Sequence, residues 1–398
     1  MTFFCYVKKY VFVSFIPALP FVYAAVGLSY VVLRILHLCM ERYYGTIERP
    51  LPLSSYFNYT TNFTALVSGP IQYYSDFERD FSDLGNYRLD DEELRDTFNR
   101  LFVGFIKVYG IAPILYDSVS RYLNLNSLMG VHGYNFIVFV AIFSVTSFVY
   151  IVYLYLNFSG YMDIVCAFAR LCGIRMPENF NKPFKATNFI DFWTRWHITL
   201  GLWLKRYIFN PLLHFLISRY GSPSTTILMG ILAYFITFVV LGLWHGSTII
   251  FVYCGLYLGL GVSINKLYQD LSRKKLGKKR VKKLKANQFY VALCRGLTIA
   301  SFTLTGFFLW VPSSATPLIF GKFFMLAFAA SFVLIAVGFS FYALAEDICM
   351  RVAGKLMLNE RCSMSVLKHL GSGVLFFFFV YSVISQCNNA PTFVYEAF

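Results

Sequence analysis

Two histidines in a chain poor in charge are the residues whose type and spacing can do chemistry. His197 closes the run Asp191-Phe-Trp-Thr-Arg-Trp-His197, and His245 lies in Gly242-Leu-Trp-His245-Gly246, 48 residues further on. Imidazole has an unperturbed pKa of about 6.5, so near neutrality it both accepts and releases protons. A polar ring in a lipid-facing sequence is costly unless it lines a cavity or meets a partner, which makes such a residue a functional candidate by default. Each histidine follows a tryptophan and precedes an aliphatic run. The pattern points to proton transfer within a membrane.

The elements that position these rings must be membrane helices. Of the 398 residues, 58% are hydrophobic and 14% charged, against about 25% charged in a soluble domain. The mean hydropathy of +0.58 excludes a pair of soluble domains and indicates one polytopic unit over 1–398. Aromatic residues make up 20%, as expected of lipid-facing surfaces and interfacial belts. The net charge of +15 does not signal nucleic acid, because much of it is one block, Arg273 to Lys285, between two apolar runs. By the positive-inside rule this block is a cytoplasmic loop, suited to anionic lipid headgroups. The nine cysteines form no C-x-x-C pair and read as small buried hydrophobes, so neither a disulfide framework nor a metal site is expected. Lys8-Lys9 before an apolar stretch mimics a signal peptide. The stretch is long for one, and a retained first span is expected.

Crossing a bilayer as a helix takes roughly 20 apolar residues. Such runs fall near 10–38, 101–122, 135–157, 226–245, 247–268, 288–311, 322–345 and 366–386, about eight spans, with Pro17 and Pro20 kinking the first. Three stretches do not fit simple spans: 56–74, which ends in Ser68-Gly-Pro-Ile71; 159–184; and the amphipathic 189–214. Broken backbone is tolerated at membrane depth only where protein or a water-filled cavity satisfies it. The expected fold is therefore all-α and polytopic, with re-entrant and interfacial helices around an internal chamber. The acidic stretch 75–100 holds a helix start at Leu89-Asp-Asp-Glu-Glu-Leu94. With 273–285 inside the cell, His197 lies nearer the cytoplasm and His245 deep or towards the outer face. As a continuous helix, 189–214 would put Trp193 beside His197 and Asp191 beside Arg195. A plain interfacial helix with tryptophan anchors is the competing reading. His37, His132, His214 and His369 read as packed or interfacial.

At these motifs the chain resembles the membrane-bound O-acyltransferase family, in particular the bacterial branch that acylates alginate and teichoic acid. Ser68-Gly-Pro-Ile-Gln-Tyr73, Phe158-Ser-Gly-Tyr161, Gly173-Ile-Arg-Met-Pro-Glu-Asn-Phe180 and Gly255-Leu-Tyr-Leu-Gly259 fall in the order that branch uses, over roughly 27–310. The departures are a short N-terminal bundle, Thr194 where a basic residue is common, and Lys205-Arg206-Tyr207 in place of Arg-Asp-Tyr.

The resemblance implies transfer of an acyl group, acetyl first, from a cytoplasmic thioester to a hydroxyl of an envelope glycan. No resident cofactor is implied. The donor would be acetyl-CoA or an acyl carrier protein, and an extracytoplasmic partner could pass the group on. His245 corresponds to the family's catalytic histidine and His197 to its second. Trp193, Arg195, Trp196, Lys205, Arg206 and Trp244 become candidate tunnel or donor contacts. A thioester is already activated, so the reaction needs a base for the hydroxyl proton and a donor for the oxyanion. Trp244 and the backbone N–H groups near Gly246 are candidates for the second task. D-alanyl transfer from a carrier protein is the alternative within this class. A transporter or flippase of a lipid-linked sugar is the alternative outside it.

Overall fold

A computed structural model describes residues 27–120, 122–123, 135–222, 224–246, 248–311 and 321–357. In chain order the helices are α1 (Leu28–Tyr43), α2 (Leu53–Thr60), α3 (Tyr74–Ser82), α4 (Asp91–Ser120), α5 (Phe136–Leu171) and α6 (Phe189–Trp193). There follow α7 (Ile198–Leu204), a π-helical turn over Lys205–Phe209, α8 (Asn210–Tyr220), α9 (Thr226–His245), α10 (Ile249–Ala286), α11 (Gln288–Trp310) and α12 (Lys322–Met357). Among the described residues the sole β element is an isolated antiparallel bridge, Phe180 to Trp196.

Six of these helices, α4, α5, α9, α10, α11 and α12, are long and apolar enough to cross a membrane. They match six of the eight apolar runs, and the chain is an all-α polytopic membrane protein. Of the first run only the part from residue 27 is described, where α1 stands. The last run, Pro17, Pro20, His132 and His369 lie outside the described residues.

The acidic helix start is built as the sequence indicates. The Asp90 side chain accepts from Glu93 N–H at 2.7 Å, and the Glu93 side chain accepts from Asp90 N–H at 3.4 Å, a reciprocal capping box at the head of α4. Three readings change. Residues 159–171 continue α5 rather than breaking, and the chain leaves the helix only at Cys172. The basic block is the tail of α10, interrupted at Gly277, because Lys and Arg are good helix formers once solvated. The stretch 189–214 is not one helix: α6 ends at Trp193, and α7 starts only after His197.

Small residues set the helix spacing. In membranes, packing and close backbone approach replace the hydrophobic drive between helices. A Cβ on Gly242 of α9 would overlap the backbone of Phe251 and Gly255 of α10; Gly104 of α4 and Gly160 of α5 meet in the same way. Gly296 of α11 faces Ala336 and Ser340 of α12. Between these seams aromatic rings fill the core, with Phe143, Phe307 and Phe324 at centroid distances of 5.1–5.5 Å. Such tilted and edge-on pairs add to plain burial.

α1 ties the irregular 60–74 stretch to the bundle. Buried Arg34 donates to the carbonyls of Thr60 (3.3 Å) and Ala65 (2.6 Å), satisfying backbone that no helix satisfies. His37 is packed, as expected: its Nε2 accepts from Tyr74 N–H at 2.9 Å, and its Nδ1 lies 2.6 Å from the Tyr207 hydroxyl. Tyr207 in turn donates to Glu41 at 2.5 Å, and Arg206 pairs with Glu41 at 2.8 Å.

Candidate active site

His197 and His245 line one cavity of about 60 Å³, together with Phe158, Trp193, Trp196, Leu241, Cys254 and Phe302, among others. The rings arrive there by different routes. His245 is the last residue of α9, and a Cβ at Gly246 would overlap the Phe251 ring, so the chain turns there tightly against α10. Trp244 packs its indole 5.1 Å from the His245 ring and 6.1 Å from Tyr30. The close α9–α10 seam at Gly242 fixes the height of both.

His197 occupies the left-handed region, φ 48° and ψ 51°. For an L-residue that conformation costs roughly 1–2 kcal/mol, and such strain persists only where the surroundings over-determine it. The surroundings are the strand-like segment 179–181. Asn181 N–H donates to Arg195 O at 2.9 Å, and Ile198 N–H donates to Asn179 O at 3.0 Å. The Asn179 side-chain oxygen accepts from Thr199 N–H and from the Thr199 hydroxyl, each at 3.0 Å, and lies 3.3 Å from His197 Nδ1. Thr199 Oγ1 accepts from Ile71 N–H at 3.1 Å, which docks the Ser68–Ile71 stretch on the same knot. The neighbouring Glu178 takes a bidentate pair from Arg100, both contacts 2.7 Å, and Arg100 and Lys107 both reach Asp163. Bidentate Arg–carboxylate geometry is among the stronger polar contacts.

A second cavity, of about 210 Å³, shares part of its wall with the first. Both are lined by Trp193, His197, Leu200 and Leu241, and the larger also by Thr194, Lys205, Tyr234, Thr237 and Val262. Along α10, Val262 borders the larger cavity and Cys254 the smaller; along α9, Tyr234 and Thr237 border the larger and His245 the smaller. The two are therefore stacked along the helix axes. Among the described residues no Asp or Glu stands in either wall.

The other candidate residues divide. Trp193 borders both cavities, Trp196 the smaller and Lys205 the larger. Arg195 pairs with Asp191 at 2.8 Å, as the spacing indicates, and lines neither. Arg206 is held by Glu41 and lies over the Tyr73 ring at 5.1 Å. Trp244 backs His245 from outside the cavity wall. Among the described residues no three His, Cys, Asp or Glu side chains gather as a metal site. Sequence reasoning noticed the segments that hold Asn179 and Ile71 but gave their residues no task. The available signal is an asparagine in Met176-Pro-Glu-Asn-Phe180, a short polar run between α5 and the first histidine motif.

Six helices of membrane-crossing length around two stacked cavities that share a buried histidine define a multi-pass membrane protein. The chain belongs to the membrane-bound O-acyltransferase family, whose model matches residues 26–305. It is 26% identical to a teichoic acid D-alanyltransferase of Bacillus subtilis over 62% of this chain and 60% of that protein. It is 31% identical to a peptidoglycan O-acetyltransferase of Helicobacter pylori over 53% of this chain and 37% of that protein. A probable alginate O-acetylase of Pseudomonas fluorescens is 26% identical over 61% of this chain and 44% of its own length. The chain thus spans 60% or less of each of these relatives.

Proposed function

We propose that this chain moves a short acyl group, acetyl by preference, from a thioester on the cytoplasmic side to a hydroxyl of a cell-envelope glycan, directly or through an extracytoplasmic partner. One observation carries the reading: two cavities stacked along the helix axes share Trp193, His197, Leu200 and Leu241, and the smaller one holds both histidines. Val262 of the larger cavity lies nearer the basic tail of α10, the side that the positive-inside rule assigns to the cytoplasm. The thioester, on coenzyme A or a carrier protein, enters there past exposed Lys205, and the hydroxyl approaches from the other end.

The reaction then needs little. His245 takes the hydroxyl proton as the oxygen attacks the acyl carbon. The tetrahedral intermediate expels the thiolate, which receives that proton from the imidazolium. Two features support acetyl over D-alanyl. The smaller cavity, of about 60 Å³, suits the smaller of the two acyl groups. Among the described residues neither wall carries a carboxylate that could pair with an ammonium group, and an unpaired buried charge is strongly disfavoured. The D-alanyl reading draws on the relatives named for that transfer. A transporter would leave the paired histidines without a task.

The test compares ester-linked acyl groups on envelope polymers in cells expressing the wild type or His245→Ala at equal membrane abundance. Ester present only with the wild type is the expected result, and the acid released by mild base names the group. Equal ester in both strains would remove His245 as the base. D-alanine in place of acetate would select the second reading, and lipid-linked sugar movement without ester would select transport.

A further inference from the structure

His197 shows which of its two ring nitrogens carries the proton, and the deduction starts from a backbone amide. Thr199 N–H can only donate, and it points at the Asn179 side-chain atom 3.0 Å away, so that atom is the oxygen. The asparagine NH₂ on the other side lies 3.3 Å from Met162 Sδ, a weak acceptor, which agrees with that orientation. The Thr199 hydroxyl accepts from Ile71 N–H, so its own hydrogen is directed at the same Asn179 oxygen. An amide oxygen accepts and never donates. His197 Nδ1 lies 3.3 Å from that oxygen, a third and longer approach beside the two Thr199 bonds; a hydrogen on Nδ1 makes the contact attractive, whereas a bare nitrogen would face the oxygen's partial negative charge.

We infer that Asn179 is a positioning residue that holds His197 as the Nδ1–H tautomer. The neutral ring then carries no hydrogen on Nε2, so in the acyl-transfer reading the clamp sets what that nitrogen can offer to the reaction beside His245. The second half of this statement rests on the acyl-transfer reading; the tautomer does not. The inference also gives the sequence motifs a division of labour. Asn179 sets the tautomer, Thr199 sets the asparagine, and the Ser68–Ile71 stretch sets Thr199 through the Ile71 amide. Asn179 is 1% exposed and His197 4%, so water does not compete for these bonds. A histidine in the left-handed region with one nitrogen committed cannot turn its ring without losing the clamp. Fixing the tautomer of a histidine through its other nitrogen is how the chemistry of that ring is chosen.

The experiment is nitrogen NMR of the full chain in lipid bilayers, labelled at its six histidines, with His197 assigned by loss of its signals in His197→Gln. The wild type is expected to show a protonated Nδ1 and an unprotonated Nε2 at neutral pH. In Asn179→Ala the Nε2–H form should become populated. Asn179→Asp, which still offers an oxygen acceptor, should restore Nδ1–H. In the acyl-transfer assay Asn179→Ala should lower kcat by about 10–100-fold, the scale of a small misplacement of reacting groups, with KM for the thioester changed less than about twofold. Asn179→Asp should recover part of that loss. A wild-type His197 protonated at Nε2, or an Asn179→Ala protein that keeps Nδ1–H, overturns the inference; so does normal kcat in a variant whose tautomer has changed. If Asn179→Ala does not fold, the wild-type spectrum and Asn179→Asp decide the tautomer alone. The expected tautomer in a protein that transfers no acyl group would leave the clamp standing and remove the function reading.

Discussion

The two histidines share a cavity but are held by opposite means. His245 is carried on a helix end whose position depends on apolar close packing, with Gly242 against the α10 backbone and Gly246 under Phe251. His197 sits between helices, in a strained conformation, inside a hydrogen-bond clamp of Asn179 and Thr199. Packing fixes where a ring is; the Asn179–Thr199 clamp also engages a ring nitrogen of His197, at the cost of burying polar groups that must all be satisfied. Under the proposed function, the contrast suits His245 as a base that exchanges its proton beside His197 as a residue that holds its own.

Removing each ring separates the two roles most sharply. His245→Ala should reduce acyl transfer by about 10²–10⁴-fold, the usual contribution of a general base, with unchanged membrane abundance. His197→Ala should cost less, and its loss should resemble that of Asn179→Ala in kcat. If His197→Ala is the more damaging of the pair, the assignment of base and helper is reversed. The readout is initial rate with a radiolabelled acyl thioester in proteoliposomes.

Packing and clamp then differ in what breaks them. Gly242→Val puts a branched side chain into the Phe251 and Gly255 backbone and should destabilise the fold by about 1–3 kcal/mol, as overpacking does. Gly230, on the same helix with open space where a Cβ would stand, is the control: Gly230→Val should stay within about 0.5 kcal/mol. Thermal unfolding in detergent, followed by loss of the monodisperse peak, measures both. Equal effects at the two positions would mean that the α9–α10 seam does not set the height of His245. On the clamp side, Thr199→Val keeps the shape but leaves Ile71 N–H without its acceptor. The expected cost is about 1–3 kcal/mol for a buried donor left unsatisfied, on the same assay.

This contrast also explains what was legible in the sequence. Membrane helices announce themselves by hydropathy, and α4, α5, α9, α10, α11 and α12 fall on runs that composition alone marks out. His245 is readable because a polar ring at the end of an apolar run stands out. The clamp is not readable in the same way, because its bonds join residues with no common period: Asn179 to Thr199, 20 apart, and Ile71 to Thr199, 128 apart. Helical spacing pairs Asp191 with Arg195 correctly and fails two residues later, since a left-handed histidine has no signature in residue type. Arg206 shows the same limit. Its partner Glu41 is 165 residues away in α1, a pairing that no spacing in the sequence indicates.

The smallest expected effect separates two adjacent basic residues that the sequence treats alike. Lys205 borders the larger cavity and is exposed, whereas Arg206 turns to Glu41 and the Tyr73 ring. If an anionic thioester carrier enters past Lys205, Lys205→Gln should raise the donor KM about three- to tenfold, and added salt should shrink the difference by screening. Arg206→Gln should leave KM within about twofold. Its part-exposed ion pair should cost no more than about 1 kcal/mol of stability, discounted for the solvent that reaches Arg206. Steady-state kinetics at two ionic strengths resolves the pair. A larger KM change at Arg206 would move the donor entrance from the cavity beside Trp193 to the face that α1 presents, and the stacked cavities would then no longer describe one path.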